Sequence, residues 1–436
     1  MFTIGLDVRA AEPGFKAHYG RGTGRYATEL GRHLLDIDAS DTLTRVVPIT
    51  ARNLEGTAWE ERMLNILPFG RQTAHTQLFL PRRLGKLRVD WLHFLAHGDA
   101  TARCPLPYLV TVLDLIPLRF PDLYRAKKPG WRFQLARDLE RQAIEKAHGI
   151  IAISEATKRD VVEMLNVPED KVFVTHLGVG SEFSARSLLT AEWQAEGNVL
   201  KDRLGLPKER PVLLYAGGID PRKNVLMLLR VFAEVLKQRL GARPVLALVG
   251  AYEQDDCFPE LKAEIDRLEI SGDVRLLGFL KEADLPGLYR AAHVKLFPSL
   301  YEGFGLPVLE AMASGLPVIA SNNSSIPEVA GNGALLLDAE DERAWVQAIV
   351  SVLLNETRQG QLSAAGKTQA RRFTWDNTAA QTLAAYEYFR FRAARAPERE
   401  TVSAEKPPEH PEAGTPLADV GASGQNDCEE RTKNGF

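Results

Sequence analysis

Short apolar runs rich in β-branched residues recur along the chain, and longer charged segments with helical spacing separate them. Such near-continuous apolar runs are typical of strands that are covered on both faces of a parallel sheet. The runs form two series. The strands predicted in the first series are Phe2–Val8, Trp91–Leu95, Tyr108–Leu113, Gly149–Ile153 and Lys171–Thr175. Those predicted in the second are Val212–Ala216, Val245–Val249, Val274–Leu277, Val294–Phe297, Pro317–Ala320 and Ala334–Leu337.

Segments with helical periodicity lie between these runs. Helices are predicted at Arg132–Lys146, Ala156–Leu165, Val225–Arg239 and Phe258–Leu268. Alternation of apolar strands and helices is typical of doubly wound α/β domains. Because the alternation occurs twice, the predicted fold class is α/β with two Rossmann-like, doubly wound domains.

Changes in composition mark the expected boundaries. The first domain is predicted at 1–180 and the second at 206–372, with a linker at 181–205 that carries turn residues and no clear strand. One long amphipathic helix, Trp375–Arg395, accounts for most of the segment 373–395. Prolines, glycines and carboxylates dominate 396–436, which predicts a disordered tail because little apolar surface is available for burial.

Charge and cysteine content narrow the class of protein. A net charge of -3 over 436 residues gives no global reason to expect nucleic-acid binding. The three cysteines, Cys104, Cys257 and Cys428, are odd in number and far apart, so no disulfide framework is expected. Neither a secretory signal nor a run of about 20 apolar residues is found. We expect a cytoplasmic protein whose membrane contact, if any, is peripheral and on the inner face.

The segment at 297–315, FPSLYEGFGLPVLEAMASG, carries the most chemistry. A strand leads into a loop with Gly303 and Gly305, and Pro307 then suits the first turn of a helix. The backbone N–H groups of the residues that open this helix would point at a bound anion such as a diphosphate. They belong to Phe304, Gly305 and Leu306.

Two carboxylates flank this anion site, Glu302 in the loop and Glu310 one turn inside the helix. A carboxylate accepts hydrogen bonds from neighbouring hydroxyls, as a sugar or a ribose diol offers. The pair therefore predicts a receptor for a nucleotide sugar. The alternative interpretation is a helix whose acidic residues merely complement its dipole.

A second segment, LLYAGGIDPRKN at 213–224, places Arg222 and Lys223 at the head of a helix. Cations at that end are not explained by the helix dipole, which favours anions there. They are explained if a diphosphate lies between them and the helix, because Arg binds phosphate bidentately and Lys adds a compact charge. A solvated basic turn is the alternative.

The spacing of Glu302 and Glu310 matches the E-x7-E motif of retaining glycosyltransferases, and EGFGLPVLEAMASGLPVIAS resembles family four of that group. The resemblance covers roughly residues 1–390. It implies a GT-B architecture, in which two domains face a central cleft and a C-terminal helix crosses back to the first domain. It also implies that Glu310 binds the ribose, that Glu302 binds the donor sugar, and that the backbone at Gly278 and Phe279 holds the base.

The first domain offers a glycine-rich turn, GRGTGRY at 20–26, before a helix. A dinucleotide site is disfavoured, because no acidic residue ends a second strand at the usual distance. The resemblance implies instead a cleft loop containing Gly22 and Gly24 that approaches the donor, although a purely structural turn is also compatible.

The strand end at TVLDLIPLRFP departs from the family pattern, which has His-Asp where this chain has Leu113 and Asp114. Asp114 is the favoured replacement for the contact of that histidine, because the carboxyl ends of strands face the ligand cleft. Two histidines near a neighbouring strand end, His93 and His97, are the other candidates.

Residues 71–146 hold 14 Lys or Arg against 7 Asp or Glu. This surplus fits an anionic membrane surface and equally fits a solvated helix face. Together, the glycine-rich first loop and the segment DLIPLRFP resemble those of bacterial mannosyltransferases of surface polysaccharide assembly.

The predicted reaction is thus transfer of a hexose, with mannose favoured, from a donor such as GDP-mannose to a glycan or lipid-linked acceptor. The resemblance implies retention of configuration and front-side attack without a metal or other cofactor. Two alternatives stay open: a nucleotide-sugar epimerase of the same fold, and a non-catalytic nucleotide-sugar-binding protein.

Overall fold

The computed structural model describes residues 2–13, 15, 22–37, 44–55, 57, 60, 62–64, 71–125, 130–184 and 190–395. The tail predicted at 396–436 lies outside the described residues. Within them, two six-stranded sheets are present, and every registered strand pair in both sheets is parallel. The predicted fold class, α/β with two doubly wound domains, is confirmed.

The first sheet has the strand order β2-β1-β3-β4-β5-β6. Its strands are β1 (Phe2–Asp7), β2 (Thr44–Ile49), β3 (Trp91–Phe94), β4 (Tyr108–Val112), β5 (Gly149–Ala152) and β6 (Val172–Val174). The strand β2 was not predicted, because Thr44, Arg45 and Pro48 interrupt its apolar pattern. It lies at the edge of the sheet and pairs with β1 alone, and an edge strand tolerates a proline.

The second sheet has the strand order β12-β11-β10-β7-β8-β9. Its strands are β7 (Val212–Ala216), β8 (Val245–Val249), β9 (Val274–Leu276), β10 (Val294–Phe297), β11 (Val318–Ser321) and β12 (Leu335–Leu337). All six were predicted to within one residue at each end, since buried parallel strands leave an unambiguous apolar run.

Helices cover both sheets. Those of the first half are α1 (Thr23–Asp36), α2 (Arg71–Ala74), α3 (Leu80–Leu84), α4 (Ile116–Arg119), α5 (Pro121–Arg125), α6 (Trp131–Lys146) and α7 (Glu155–Leu165). A π-helical turn, His75–Phe79, joins α2 to α3. The others are α8 (Thr190–Leu204), α9 (Val225–Leu236), α10 (Phe258–Arg267), α11 (Leu285–Ala291), α12 (Leu306–Ala313), α13 (Ile326–Ala330), α14 (Glu342–Leu354), α15 (Glu356–Ala370) and α16 (Trp375–Arg395).

The segment predicted as a linker, 181–205, contains the helix α8. Leu200 of α8 is buried, and Gly197 lies so close to α11 that an added Cβ would sit 3.4 Å from the Cα of Ala291. Arg203 also forms an ion pair with Asp284. By these contacts α8 packs against elements of the second domain.

The long helix α16 has the predicted bounds and returns to the first domain. Phe389 packs so closely on the start of β5 that Gly149 has no room for a side chain. Tyr386 is buried and donates or accepts a hydrogen bond at 2.7 Å with His93 of β3. Further along, Arg392 forms an ion pair of 2.6 Å with Asp170. The crossover implied by the family resemblance is therefore present.

Candidate functional site

The loop between β10 and α12 has the conformation that its glycines allow. Gly305 adopts φ 100°, in the left-handed region, and α12 begins directly after it at Leu306. No side chain among the described residues caps this helix, and Pro307 occupies its first turn. The Phe304 ring is buried against His176 and Phe373. The N–H groups of Phe304, Gly305 and Leu306 thus lie at a helix start, as predicted.

Glu302 is held on both sides. Its Oε1 accepts a hydrogen bond of 2.6 Å from Lys223, and its Oε2 lies 3.3 Å from Arg222. Its backbone N–H donates to Ser324 Oγ at 2.8 Å, and its carbonyl accepts from Ser325. Burial alone would raise the pKa of Glu302, but the two cations outweigh burial and lower it. Glu302 is therefore an ionised, fixed acceptor.

Arg222 and Lys223 follow β7 in a short 3-10 turn, Pro221–Lys223. Arg222 is 9% exposed and donates to the Tyr301 carbonyl at 2.7 Å, while its Nε lies 3.3 Å from Asp220. The two cations lie beside Glu302 and next to the start of α12. The structure thus brings the predicted diphosphate residues and the predicted sugar residue into one cluster.

Glu310 lies on the buried side of α12 and is 5% exposed. Its Oε2 accepts a hydrogen bond of 2.9 Å from Tyr289, and its Oε1 accepts one from Arg25 of the first domain. Burial raises the pKa of this carboxyl, although Arg25 and Tyr289 oppose the rise. A partner from the opposite domain was not expected at this position.

A row of glycines follows the strands beside the cluster. The Gly217 N–H donates to Val249, and the Gly250 N–H donates to Gly278, both at 3.0 Å. Gly278 adopts φ 66°, and the next residue, Phe279, presents a ring that is 57% exposed. An exposed aromatic ring can stack on a planar base. The neighbouring glycines have no side chains that would block the approach of a base.

The opposite wall meets the glutamate loop at Gly303. A Cβ at this glycine would overlap the carbonyl oxygen of Leu113 and lie 3.0 Å from the Cβ of Asp114. The Gly303 carbonyl accepts hydrogen bonds from Ser154 at 2.7 Å and from Thr157 at 3.2 Å. Ser154 also caps α7. The start of this helix in the first domain therefore holds the glutamate loop by hydrogen bonds to the Gly303 carbonyl.

Asp114 lies at the end of β4, in the predicted place. Its Oδ1 accepts from the Ile116 N–H at 3.1 Å. Burial raises the pKa of Asp114, Glu302 adds to the rise, and Arg222 opposes it. The charges of Glu302 and Arg222 thus act directly on Asp114 across the cleft.

A cavity of about 420 Å³ opens beside Asp114 on the first domain. Its wall is mostly polar. It is lined by Thr23, Thr73, Thr76, Gln77, Ala96, His97, Gly98, Ala100, Leu113, Asp114, Ala136, Arg137, Leu139 and Glu140. Of the two histidines considered from the sequence, His97 shares this cavity with Leu113 and Asp114.

The other histidine, His93, does not reach the cleft, and the sugar contact predicted for it is wrong. Its side chain is fully buried, with Nε2 2.8 Å from Thr111 Oγ1 and Nδ1 2.7 Å from the Tyr386 hydroxyl. The Thr111 hydroxyl is also 3.1 Å from that of Tyr26. Burial lowers the pKa of His93 to about 3, so the ring is neutral and structural.

The cleft-loop glycines lie at the start of α1. Gly22 precedes the helix with φ 49°, and an added Cβ there would have no described atom within 4 Å. Gly24 is buried in the first turn. The loop before Gly22, at 16–21, lies outside the described residues, so its approach to a donor stays a prediction.

The described part of the chain has neither a cluster of side chains that could hold a metal ion nor a helix that could span a membrane. It contains no group of three or more His, Cys, Asp or Glu side chains arranged to hold a metal ion. None of its helices combines the length and the apolar character that crossing a bilayer requires.

Sequence reasoning missed several residues of the site, namely Arg25, Ser154, Thr157, Tyr289, Ser324 and Ser325. One signal was available: Arg25 is a cation in the first turn of a helix, the same anomaly that identified Arg222 and Lys223. The hydroxyl residues carry no comparable signal, because serine and threonine are common in every turn.

Comparison with known proteins gives two family matches. Residues 20–183 match the family described as Glycosyltransferase Family 4, and residues 198–369 match Glycosyl transferases group 1. The chain is 31% identical to O-antigen chain mannosyltransferase B of Escherichia coli over 316 residues, which are 71% of this chain and 78% of that protein. It is 34% identical to a D-inositol 3-phosphate glycosyltransferase of Nocardioides over 276 residues, 60% of this chain and 57% of that protein.

Among solved structures, the fold is similar to that of Anabaena HepE, crystallised in complex with UDP and glucose. The TM-score is 0.61 at 17% identity, over 89% of this chain and 100% of that one.

Proposed function

The chain belongs to the glycosyltransferases of group 1 and family 4, and on that premise we propose that it is a retaining hexosyltransferase. The donor is a nucleoside diphosphate sugar, and the acceptor is a hydroxyl group of a glycan or of a lipid-linked glycan. The observation that carries the proposal is the cluster of Glu302, Arg222 and Lys223 beside the start of α12, with Glu310 one turn into the same helix.

Each part of the donor has a matching group, either in this cluster or at the nearby Phe279. Glu310 accepts from the ribose diol, and the exposed Phe279 ring stacks on the base. The diphosphate lies between the two cations Arg222 and Lys223 and the N–H groups that open α12. Glu302 accepts from hydroxyls of the transferred sugar.

The chemistry follows from where charge develops. The acceptor oxygen forms a bond to the anomeric carbon while the bond from that carbon to the diphosphate oxygen breaks. The proton of the acceptor hydroxyl passes to the departing diphosphate oxygen on the same face. The electron pair of the broken bond remains on the diphosphate, where Arg222 and Lys223 stabilise it more strongly than in the ground state. Attack from the face that the diphosphate leaves retains the anomeric configuration.

Asp114 is placed to act on the other reactant. It lies at the mouth of the 420 Å³ cavity and faces the Glu302 loop. We assign this cavity to the acceptor, because threonine hydroxyls and the Gln77 amide bind sugar hydroxyls without requiring charge. Asp114 then accepts a hydrogen bond from the reacting hydroxyl, or from the donor sugar in the place of the family histidine.

Mannose is the favoured sugar and GDP-mannose the favoured donor. Support comes from the similarity to an O-antigen mannosyltransferase that spans 78% of that protein. The similarity to an inositol-phosphate glycosyltransferase supports a wider choice of donors and acceptors. We further propose that the enzyme is cytoplasmic. Its basic segment, 71–146, binds the inner face of the membrane, where a lipid-linked acceptor is accessible.

One structural feature favours a second function, a non-catalytic nucleotide-sugar-binding protein. Leu113 stands where the family has a histidine, and it offers the cleft a backbone carbonyl rather than an imidazole. A single experiment separates the functions: incubate the protein with a panel of nucleotide sugars, with and without glycan and lipid-linked acceptors. Acceptor-dependent nucleotide release supports transfer, acceptor-free isomerisation would establish the epimerase, and binding without turnover would establish the binding protein.

A further inference from the structure

A single arginine of the first domain bonds to three carboxylates. Arg25 lies in the first turn of α1, and its side chain is 9% exposed. One terminal nitrogen donates to Glu310, the other lies 3.2 Å from Glu182, and Nε lies 3.2 Å from Glu282. The guanidinium also lies over the Phe183 ring at 5.1 Å. All three nitrogens of the planar group are thus engaged.

The three carboxylates lie in different parts of the chain. Glu310 is in α12, Glu282 comes three residues after Phe279, and Glu182 follows the last strand of the first sheet. Arg25 therefore ties the first domain to the predicted ribose site and to the predicted base site. Burial of the Arg25–Glu310 pair makes this contact more consequential than an exposed ion pair.

The contact closes the face of Glu310 that a ribose needs. Arg25 takes one carboxylate oxygen and Tyr289 takes the other, and Glu310 is left 5% exposed. With 5% of Glu310 exposed, a diol gains access to this carboxylate when the guanidinium moves away. The nucleotide and Arg25 compete for one acceptor.

We propose that Arg25 is a donor-displaced residue, which occupies the ribose-binding carboxylate of Glu310 when no donor is bound and must leave it before the donor binds. The inference rests on the proposed function, since it takes Glu310 as the ribose contact. It adds a residue of the first domain to the donor site and gives it a role in donor entry.

Displacement leaves no buried charge without a partner. Arg25 keeps Glu182 and Glu282, whose side chains are 46% and 45% exposed and can follow it toward solvent. Glu310 keeps the Tyr289 hydroxyl, and the amine of buried Lys295 lies over the Tyr289 ring at 5.5 Å, although burial lowers the pKa of Lys295 to about 7. The exchange therefore avoids the large cost of an unpaired buried ion.

The kinetic consequence is specific. When a binding-competent state is only partly populated, apparent affinity falls by that fraction. Removing Arg25 frees Glu310 before the nucleotide arrives, so the association rate constant rises. Because the displaced arginine does not touch the nucleotide in the bound state, the dissociation rate constant is unchanged.

The test uses stopped-flow binding of GDP, and of UDP in parallel, to the full chain. We expect Arg25→Gln to raise the association rate constant roughly five-fold to tenfold with the dissociation rate constant within two-fold of wild type. Glu282→Gln removes a carboxylate that pairs with Arg25 both before and after displacement, so it should leave both constants within two-fold of wild type. The matched control is Arg32→Gln, one surface arginine two turns along α1, which leaves both constants unchanged.

An unchanged association rate constant in Arg25→Gln would overturn the inference. So would faster dissociation in Arg25→Gln, because it would place Arg25 in contact with the bound nucleotide. Glu310→Gln separates this failure from a failure of the proposed function: if it does not speed dissociation, the ribose role itself is lost. Absence of GDP and UDP binding to the wild type would overturn both.

Discussion

Gly303 and Leu113 stand in backbone contact across the cleft, so close that a methyl group at Gly303 would overlap the Leu113 carbonyl oxygen. The glutamate loop and the strand that carries Asp114 therefore meet without any side chain between them. Ser154 and Thr157 fix this approach by donating to the Gly303 carbonyl. A glycine thus sets the distance between the Glu302 loop and the end of β4.

Substitution of Gly303 tests the contact with Leu113. Gly303→Ala forces the two walls apart, and a misplacement of this size costs on the order of a hundredfold in transfer rate. The proposed nucleotide contacts are groups of the second domain, so GDP affinity should change far less than the transfer rate. Steady-state kinetics with a GDP-mannose donor and calorimetric GDP titration measure the two effects. Gly360→Ala, in a helix with open space around it, is the control and should change neither.

Glu310→Gln should weaken GDP binding by roughly tenfold or more, because an amide replaces the carboxylate that is proposed to accept from the ribose. Calorimetric titration gives the dissociation constant. Glu264→Gln, which alters a surface ion pair with Arg267, serves as the matched substitution and should bind normally. A GDP affinity equal to that of wild type would remove Glu310 from the ribose.

Asp114→Asn should lower the transfer rate by roughly 10² while GDP affinity changes little. Burial raises the pKa of Asp114, so the wild-type carboxylate is lost at a higher pH than an exposed one. If the ionised form is required, the rate falls as pH drops through this raised pKa. The pH–rate profile of the variant should lack that acidic limb, and persistence of the limb would assign it to another group.

Because His93 is buried, the free energy of unfolding should depend on pH. Burial lowers the pKa of His93 from 6.5 to about 3, so between these values the unfolded chain binds one more proton than the folded chain. The free energy of unfolding therefore falls as pH falls, by about 1.4 kcal/mol per unit from this group. Its contribution is fully present above pH 6.5, and about 2 kcal/mol of it is lost by pH 5.

His93→Gln is expected to be less stable than wild type at pH 7, since its bonds to Thr111 and Tyr386 are altered. The difference should shrink by about 2 kcal/mol at pH 5, because the variant loses this titration. Urea denaturation at the two pH values measures it. A pH dependence of the unfolding free energy in His93→Gln equal to that of wild type would contradict the assignment.

The strands and the glutamate helix were predictable from the chain because their physical causes are local. Buried parallel strands such as β7 need a continuous apolar run, and α12 starts where Gly305 and Pro307 permit it. The edge strand β2 was missed because one-sided pairing relaxes that demand. The helix α8 was missed because polar residues dominate its sequence and its stability comes from packing on α11.

By itself, the sequence determined the two α/β domains, the family, the crossing helix and the second-domain residues of the candidate site. Spacing along one loop and one helix is enough to place Glu302 and Glu310 on either side of the start of α12. Tertiary structure alone decided the partners from the other domain. The contact of Arg25 with Glu310 joins residues 285 positions apart, and that of Ser154 with Gly303 joins residues 149 apart. No local pattern encodes which such residues meet, because the meeting depends on how two separately folded sheets pack.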